Sequence, residues 1–331
     1  MSELYLVTGA GGFLGNVITN DLVAMGKSVR ALLMPGESSS MPLGVEIMHG
    51  DVRSKESLAE FFKTPEGCEL IVIHCAGIVS IASKYDQLVY DVNVGGTRNV
   101  VDLCRDNKVK KLVHVSSVHA IPERPKGEVT YEADIFNPND VVGLYAKTKS
   151  EATAYVLEAA KAGLNASVVH PSGITGPYDA GRGYLTTLII HYCKRKLTSA
   201  IRGGFDFVDV RDVSKGVIAC TEKGAPGECY ILSNKYFTIV ELLEYLHDLT
   251  GQRRMKSILP LWFAMGTAPL SEIYYKLIKQ PPLYTKYSIY TLSTNAVYSH
   301  EKASRVLGYT VRDMRDTLND TVTWLKSKGK L

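Results

Sequence analysis

Short apolar runs and longer amphipathic ones alternate from the first residues of the chain. Leu4 to Val7, Ser28 to Leu33, Val45 to His49, Leu70 to His74, Lys111 to Ser116 and Ala166 to His170 read as strands. Between them, Phe13 to Val23, Lys55 to Phe62, Tyr85 to Arg105 and Leu144 to Ala162 carry helical spacing. Alternating strand and helix predicts a parallel sheet covered on both faces, an α/β doubly wound (Rossmann-type) domain over residues 1–175. After that the rhythm changes to helices, a strand at Cys229 to Leu232 and a proline-rich connection near Lys279 to Leu283. Thr238 and Glu241 form a capping box for a helix that Gly251 stops after Thr250. Residues 176–331 are therefore expected to form a smaller, mostly helical substrate-binding lobe, with a return to the first domain near 205–235.

Composition narrows the function. Of 331 residues, 45% are hydrophobic and 22% charged, enough for a large core. The net charge of +4 is scattered and gathers into no run that could track phosphates, so nucleic acid is not an expected partner. Six well-separated cysteines without a CxxC pair read as reduced and intracellular. The first eight residues already read as strand, leaving no room ahead of the fold for a secretion signal. The longest apolar stretch, Ile258 to Leu270, is broken by Pro260 and Pro269 and falls short of the roughly 20 residues of a membrane span. A cytoplasmic protein acting on a small molecule is expected.

The first strand-to-helix turn, Thr8 to Gly15, places glycines at 9, 12 and 15 and opens the helix with Phe13 and Leu14. That spacing suits a tight turn, close approach to a pyrophosphate and close packing of helix on strand. Asp51-Val52, Cys75-Ala76-Gly77 and Asn93 follow at or after later strands and could line an adenosine. The phosphate on the ribose stays undecided between NAD and NADP. Met34 ends the second strand, Arg30 lies early, Glu37 lies late, and the hydroxyls of Ser38 to Ser40 tip the balance slightly to NADP.

Tyr145 and Lys149 form a YxxxK pattern, with Ser116-Ser117 after a strand upstream. Residues four apart share a helix face, so an ammonium could hold the phenol, which ionises near about pH 10 when free, closer to working pH. Together with the glycines, His170-Pro171-Ser172-Gly173 and Phe207 to Val213, this pattern resembles the extended short-chain dehydrogenases/reductases of the NAD-dependent epimerase/dehydratase family. The resemblance implies Ser117, Tyr145 and Lys149 as the catalytic set, with Ser117 favoured over Ser116. It also implies Tyr145, Lys149, His170, Pro171, Ser172 and Gly173 at the cofactor, and a homodimer.

The dehydratase Asp-Glu pair is replaced by Val118-His119, and Ala120-Ile121-Pro122 departs from the usual epimerase continuation. The segments at Gly181 to Leu185 and Pro281 to Thr285, with the apolar Leu259 to Met265, are similar to those of dihydroflavonol reductase and 3β-hydroxysteroid dehydrogenase relatives. Redox chemistry on a hydrophobic or ring-containing alcohol is therefore expected, with His119, Arg182 and Tyr184 at the substrate. A nucleotide-sugar epimerase with bound NAD and a non-catalytic dinucleotide sensor are the alternatives. The histidines show no metal-ligand spacing, and no metal is expected.

Overall fold

The computed structural model describes residues 2–37, 40–80, 85–179, 183–267 and 286–331. Its centre is a seven-stranded parallel sheet. Six of the strands are β1 (Ser2–Thr8), β2 (Ser28–Leu33), β3 (Glu46–His49), β4 (Cys68–His74), β5 (Lys111–Val115) and β6 (Ala166–Pro171). Beyond them lie β7 (Gly173–Thr175), β8 (Ala200–Ile201), β9 (Gly204–Asp209) and β10 (Cys229–Leu232), the last of which is the seventh strand of the sheet. The spatial order β10-β6-β5-β4-β1-β2-β3 reverses between β1 and β4. An open parallel sheet binds ligands at that reversal, outside the carboxyl ends of the strands.

Side-chain alternation explains both covered faces. Leu4 and Leu6 of β1 point into one core, with Val100 and Val101 of helix α3 (Thr97–Asp106) and Val156 and Leu157 of α4 (Leu144–Lys161). Tyr5 and Val7 point into the other, with Leu14, Val17 and Ile18 of α1 (Phe13–Ala24) and Val213 and Val217 of α6 (Val210–Lys223).

Two expected helices differ. Within Lys55 to Phe62 only a single 3-10 turn forms, Glu56–Leu58. Leu58, Phe61 and Phe62 are buried, but the Arg30 guanidinium takes the carbonyls of Phe61 and Lys63 at 2.8 Å each, and Pro65 prevents continuation. Tyr85 to Arg105 is interrupted by a π-helical stretch, Asp91–Gly96, between α2 (Gln87–Tyr90) and α3.

The second lobe is interwoven with the first. A small sheet joins β7, β9 and β11 (Lys235–Thr238), while α5 (Tyr184–Cys193), α7 (Ile239–Thr250) and the helix Met314–Ser327 share a third core through Ile189, Leu243 and Leu318. The Thr238 and Glu241 capping box forms as the sequence predicts, and Gly251 ends α7 with φ +66°. Ala303, Leu307 and Tyr309, however, pack into the core under the large sheet. Chain beyond the expected boundary at residue 176 thus completes the dinucleotide-type domain. No helix among the described residues is long and apolar enough to cross a membrane.

Candidate active site

The glycine turn leads from β1 into α1. Gly9 has φ +66°, and an added Cβ there would come within 2.8 Å of the Ala76 backbone, so the ends of β1 and β4 approach too closely for any side chain. At Gly15 a Cβ would run into the Gly9 carbonyl, which is how the helix packs against its own turn. Among the described residues no side chain caps α1 at Gly12, leaving the first amides, beginning with Phe13 and Leu14, as donors at the positive end of the helix dipole. The structure fits a pyrophosphate here because the cradle is built from backbone that side chains would fill.

Several predicted cofactor residues surround the turn. Ala76 donates its amide to Thr8 Oγ1 at 3.2 Å, and Cys75 donates to the Thr8 carbonyl at 3.2 Å. Gly77 leaves room for the Asn93 amide and the Lys149 ammonium, each 3.2 Å from where its Cβ would stand. Asn93, in the π-helical stretch, grips the backbone of Ile78 at 2.8 and 3.0 Å and Thr148 Oγ1 at 3.1 Å, so it shapes the loop after β4. Asp51 forks onto Arg53, which holds its carboxyl below the usual range, and Val52 is buried against Gly96.

Arg30 requires correction. Its side chain is buried beside the edge strand β3, salt-bridged to Glu46 at 2.7 Å and bonded to the carbonyls of Phe61 and Lys63, so it cannot reach a ribose phosphate at the carboxyl end of β2. What stands there instead is Glu37. Its carboxylate accepts the Met34 amide at 3.0 Å and folds back over Gly11, inside contact distance of a Cβ placed there. Position in the sequence had made Glu37 look late; the turn at Pro35-Gly36 brings it back.

The Ser, Tyr and Lys side chains converge where β5 ends beside α4. Ser116 is turned away, its hydroxyl bonded to Thr153 Oγ1 at 2.7 Å. Ser117 faces the other way, toward the Tyr145 phenol, and its Oγ accepts the His119 amide at 3.3 Å. Lys149 donates to the Val115 carbonyl at 2.9 Å. The acidified phenol expected from the YxxxK spacing is not what the protein alone displays. Burial pushes Tyr145 up to about 12, outweighing the opposing effect of the Ser117 hydroxyl, and pushes the Lys149 ammonium down to about 8. Both groups are thus held toward their neutral forms.

His170 also moves from its expected place. It is fully buried behind Ser117, with Nδ1 2.9 Å from the Ser117 carbonyl and its ring stacked on Phe136 at 5.2 Å, so it supports the serine and does not face a cofactor. Ser172 turns its hydroxyl inward to Asp206, leaving only its backbone and those of Pro171 and Gly173 near the crevice. His119 lies against Tyr145, ring centroids 6.0 Å apart, and stacks on Phe205 at 5.1 Å; burial pushes it down to about 4, so it is neutral. Tyr184 begins α5 and is exposed, whereas Arg182 lies outside the described residues, as do Pro281 to Thr285. Phe205, Phe136 and Tyr287 had no signal of their own. Gly143, two residues before Tyr145, was the trace of Tyr287: its φ is +97° and a Cβ there would enter the Tyr287 ring.

Comparison with known proteins agrees with this geometry. The NAD dependent epimerase/dehydratase family model matches residues 5–233. The chain belongs to that family. Across the family, the chain is 30% identical over 332 residues to sterol demethylase protein B of Methylococcus capsulatus, covering 98% of this chain and 99% of that one. It is 30% identical over 319 residues, 92% and 91% of the two chains, to the 4-hydroxy-2-methyl-3-oxo-4-farnesyl-3,4-dihydroquinoline-1-oxide ketoreductase of Stigmatella aurantiaca. Among solved structures, gox2253 superposes with a TM-score of 0.85 at 27% identity over 99% of each chain. The Thermus thermophilus UDP-glucose 4-epimerase complex with NAD gives 0.76 at 23% identity over 98% and 99%, a likeness of fold. The protein is therefore a nicotinamide-dependent enzyme of the extended short-chain type, a dehydrogenase/reductase or epimerase.

Proposed function

We propose that the protein interconverts a secondary alcohol and a ketone on a hydrophobic, ring-containing small molecule, working as a cytoplasmic homodimer. The observation that supports this reading is the grouping of Ser117 against Tyr145, with Lys149 one helical turn further on against Val115 and Gly77, at the carboxyl ends of β4 and β5. The aromatic surroundings of Tyr145, built from His119, Phe205 and Tyr287, suit an apolar ring better than a charged sugar nucleotide. The names of relatives point the same way: a sterol demethylase protein, a farnesylated quinoline ketoreductase and a 3β-hydroxysteroid dehydrogenase/decarboxylase.

In this reading Ser117 donates a hydrogen bond to the substrate oxygen, and Tyr145 Oη gives or takes the proton there. Lys149, hydrogen-bonded to Val115, keeps a cation available beside Gly77 whenever it is protonated. The glycine turn, the α1 amides, Asp51 and the loop after β4 would hold the dinucleotide, which would supply or accept the hydride. Glu37 favours NAD over NADP, reversing the balance drawn from the serine hydroxyls: a carboxylate over Gly11 can accept from a ribose hydroxyl and repels a phosphate.

The test is a panel of steroid, flavonoid-like and small carbonyl compounds with NADH and NADPH, run beside UDP-sugars, on the native protein and on Tyr145→Phe. Net loss of the reduced-nicotinamide absorbance with an apolar ketone, falling by about 100-fold or more in the variant, is the expected result. Isomerised sugar without net change of that absorbance would establish an epimerase instead, and unchanged turnover in Tyr145→Phe would remove the mechanism. Sedimentation showing monomer alone at micromolar concentration would remove the homodimer.

A further inference from the structure

Asp206, in the middle of β9, is fully buried, and the proposed mechanism does not use it. Its Oδ1 accepts the Ser172 hydroxyl at 2.5 Å and the Asn234 amide at 3.0 Å, while Oδ2 has no partner among the described residues. Ser172 stands between β6 and β7 and Asn234 between β10 and β11, so one carboxylate ties together the place where the chain crosses from the large sheet to the small one. An asparagine would accept the same two hydrogen bonds without the desolvation that a lone buried charge incurs. The use of an acid where an amide would do points to a role for the charge itself.

The crossing at 171–173 lies at the carboxyl end of β6, next to β5, and β6 is tied to the reacting serine through the 2.9 Å contact of His170 with the Ser117 carbonyl. Asp206 is therefore one hydrogen bond behind the floor of the crevice. The titratable groups around it leave its charge uncompensated. The Tyr298 and Tyr309 phenols are pushed upward, His170 on β6 is pushed down to about 4, and among the described residues no cation shifts Asp206.

We propose that Asp206 is a positioning residue that, through Ser172, fixes the strand crossing under the nicotinamide and sets a negative charge behind it, favouring the oxidised, cationic dinucleotide over the reduced one. This rests on reading the crevice as a dinucleotide site. Burial pushes the Asp206 carboxyl up to about 6, so the preference for the oxidised form should be present at pH 8 and fade by pH 5.

Calorimetric titration with NAD+ and with NADH, on the native protein, Asp206→Asn and Ser172→Ala, tests this without turnover. Asp206→Asn is expected to weaken NAD+ relative to NADH by about tenfold at pH 8, with its ratio flat down to pH 5, where the native ratio converges on it. Ser172→Ala should shift the ratio in the same direction by less. Urea unfolding should find Asp206→Asn at least as stable as the native protein at pH 8, since the amide keeps both accepted bonds and removes the buried charge. A ratio unchanged in both variants, or equal weakening of both forms, would reduce Asp206 to a structural tie and overturn the proposal. Failure of the native protein to bind either form would overturn the dinucleotide reading along with it. Normal binding with turnover unaffected by Tyr145→Phe would strike only the proposed chemistry.

Discussion

Replacing Lys149 by methionine should make the fold more stable while removing its activity. The ammonium is buried, and burial lowers it from 10.5 to about 8. A lysine whose folded value is depressed destabilises the folded state wherever it is charged in both states. The penalty is full below about pH 8, shrinks between there and 10.5, and is gone above. At 1.36 kcal/mol per unit this penalty is about 3 kcal/mol at neutral pH. Against it stands one hydrogen bond to the Val115 carbonyl, worth about 1 kcal/mol. Methionine fills much the same volume, so Lys149→Met should gain about 2 kcal/mol at pH 7 in urea unfolding of the ligand-free protein. The gain should narrow steadily as both proteins are measured toward pH 10. Turnover should fall at least about 100-fold in the same sample. A variant less stable than the native protein at pH 7, or a gain that does not depend on pH, would refute the reasoning that burial dominates this lysine.

Other expectations follow from single contacts. Gly15→Ala drives a methyl into the Gly9 carbonyl, so it should lower stability by about 1–3 kcal/mol and abolish dinucleotide binding, seen by unfolding and by titration. Ser116→Ala should cost about 1 kcal/mol through its lost bond to Thr153 and leave kcat nearly unchanged, whereas Ser117→Ala should lower kcat by about 100-fold; equal effects would remove the distinction between the two serines. Arg30→Met should destabilise by about 2 kcal/mol, stranding the Phe61 and Lys63 carbonyls, without altering the ratio of NADH to NADPH use. Glu37→Gln should raise NADPH use by about tenfold relative to NADH, and an unchanged ratio would place the ribose elsewhere.

The sequence by itself determined the parallel sheet, the glycine turn and the helix bearing Tyr145 and Lys149. These are local matters: period-two and period-3.6 patterns fix strand and helix, and residues four apart share a face whatever packs around them. Only the tertiary structure decided which neighbours each side chain found. Ser116 and Ser117 are adjacent in sequence, yet strand alternation sends one to Thr153 and the other to Tyr145. By position Arg30 lies early and Glu37 late for a ribose, but one is buried among carbonyls beside the edge strand and the other is carried back by a turn. The acidity of the phenol could not be read from spacing either, because desolvation depends on everything that closes over Tyr145, including Tyr287 from more than a hundred residues away. Asp206 had no motif at all; its meaning comes from Ser172 and Asn234, which the crossing between two sheets brings to a single carboxylate.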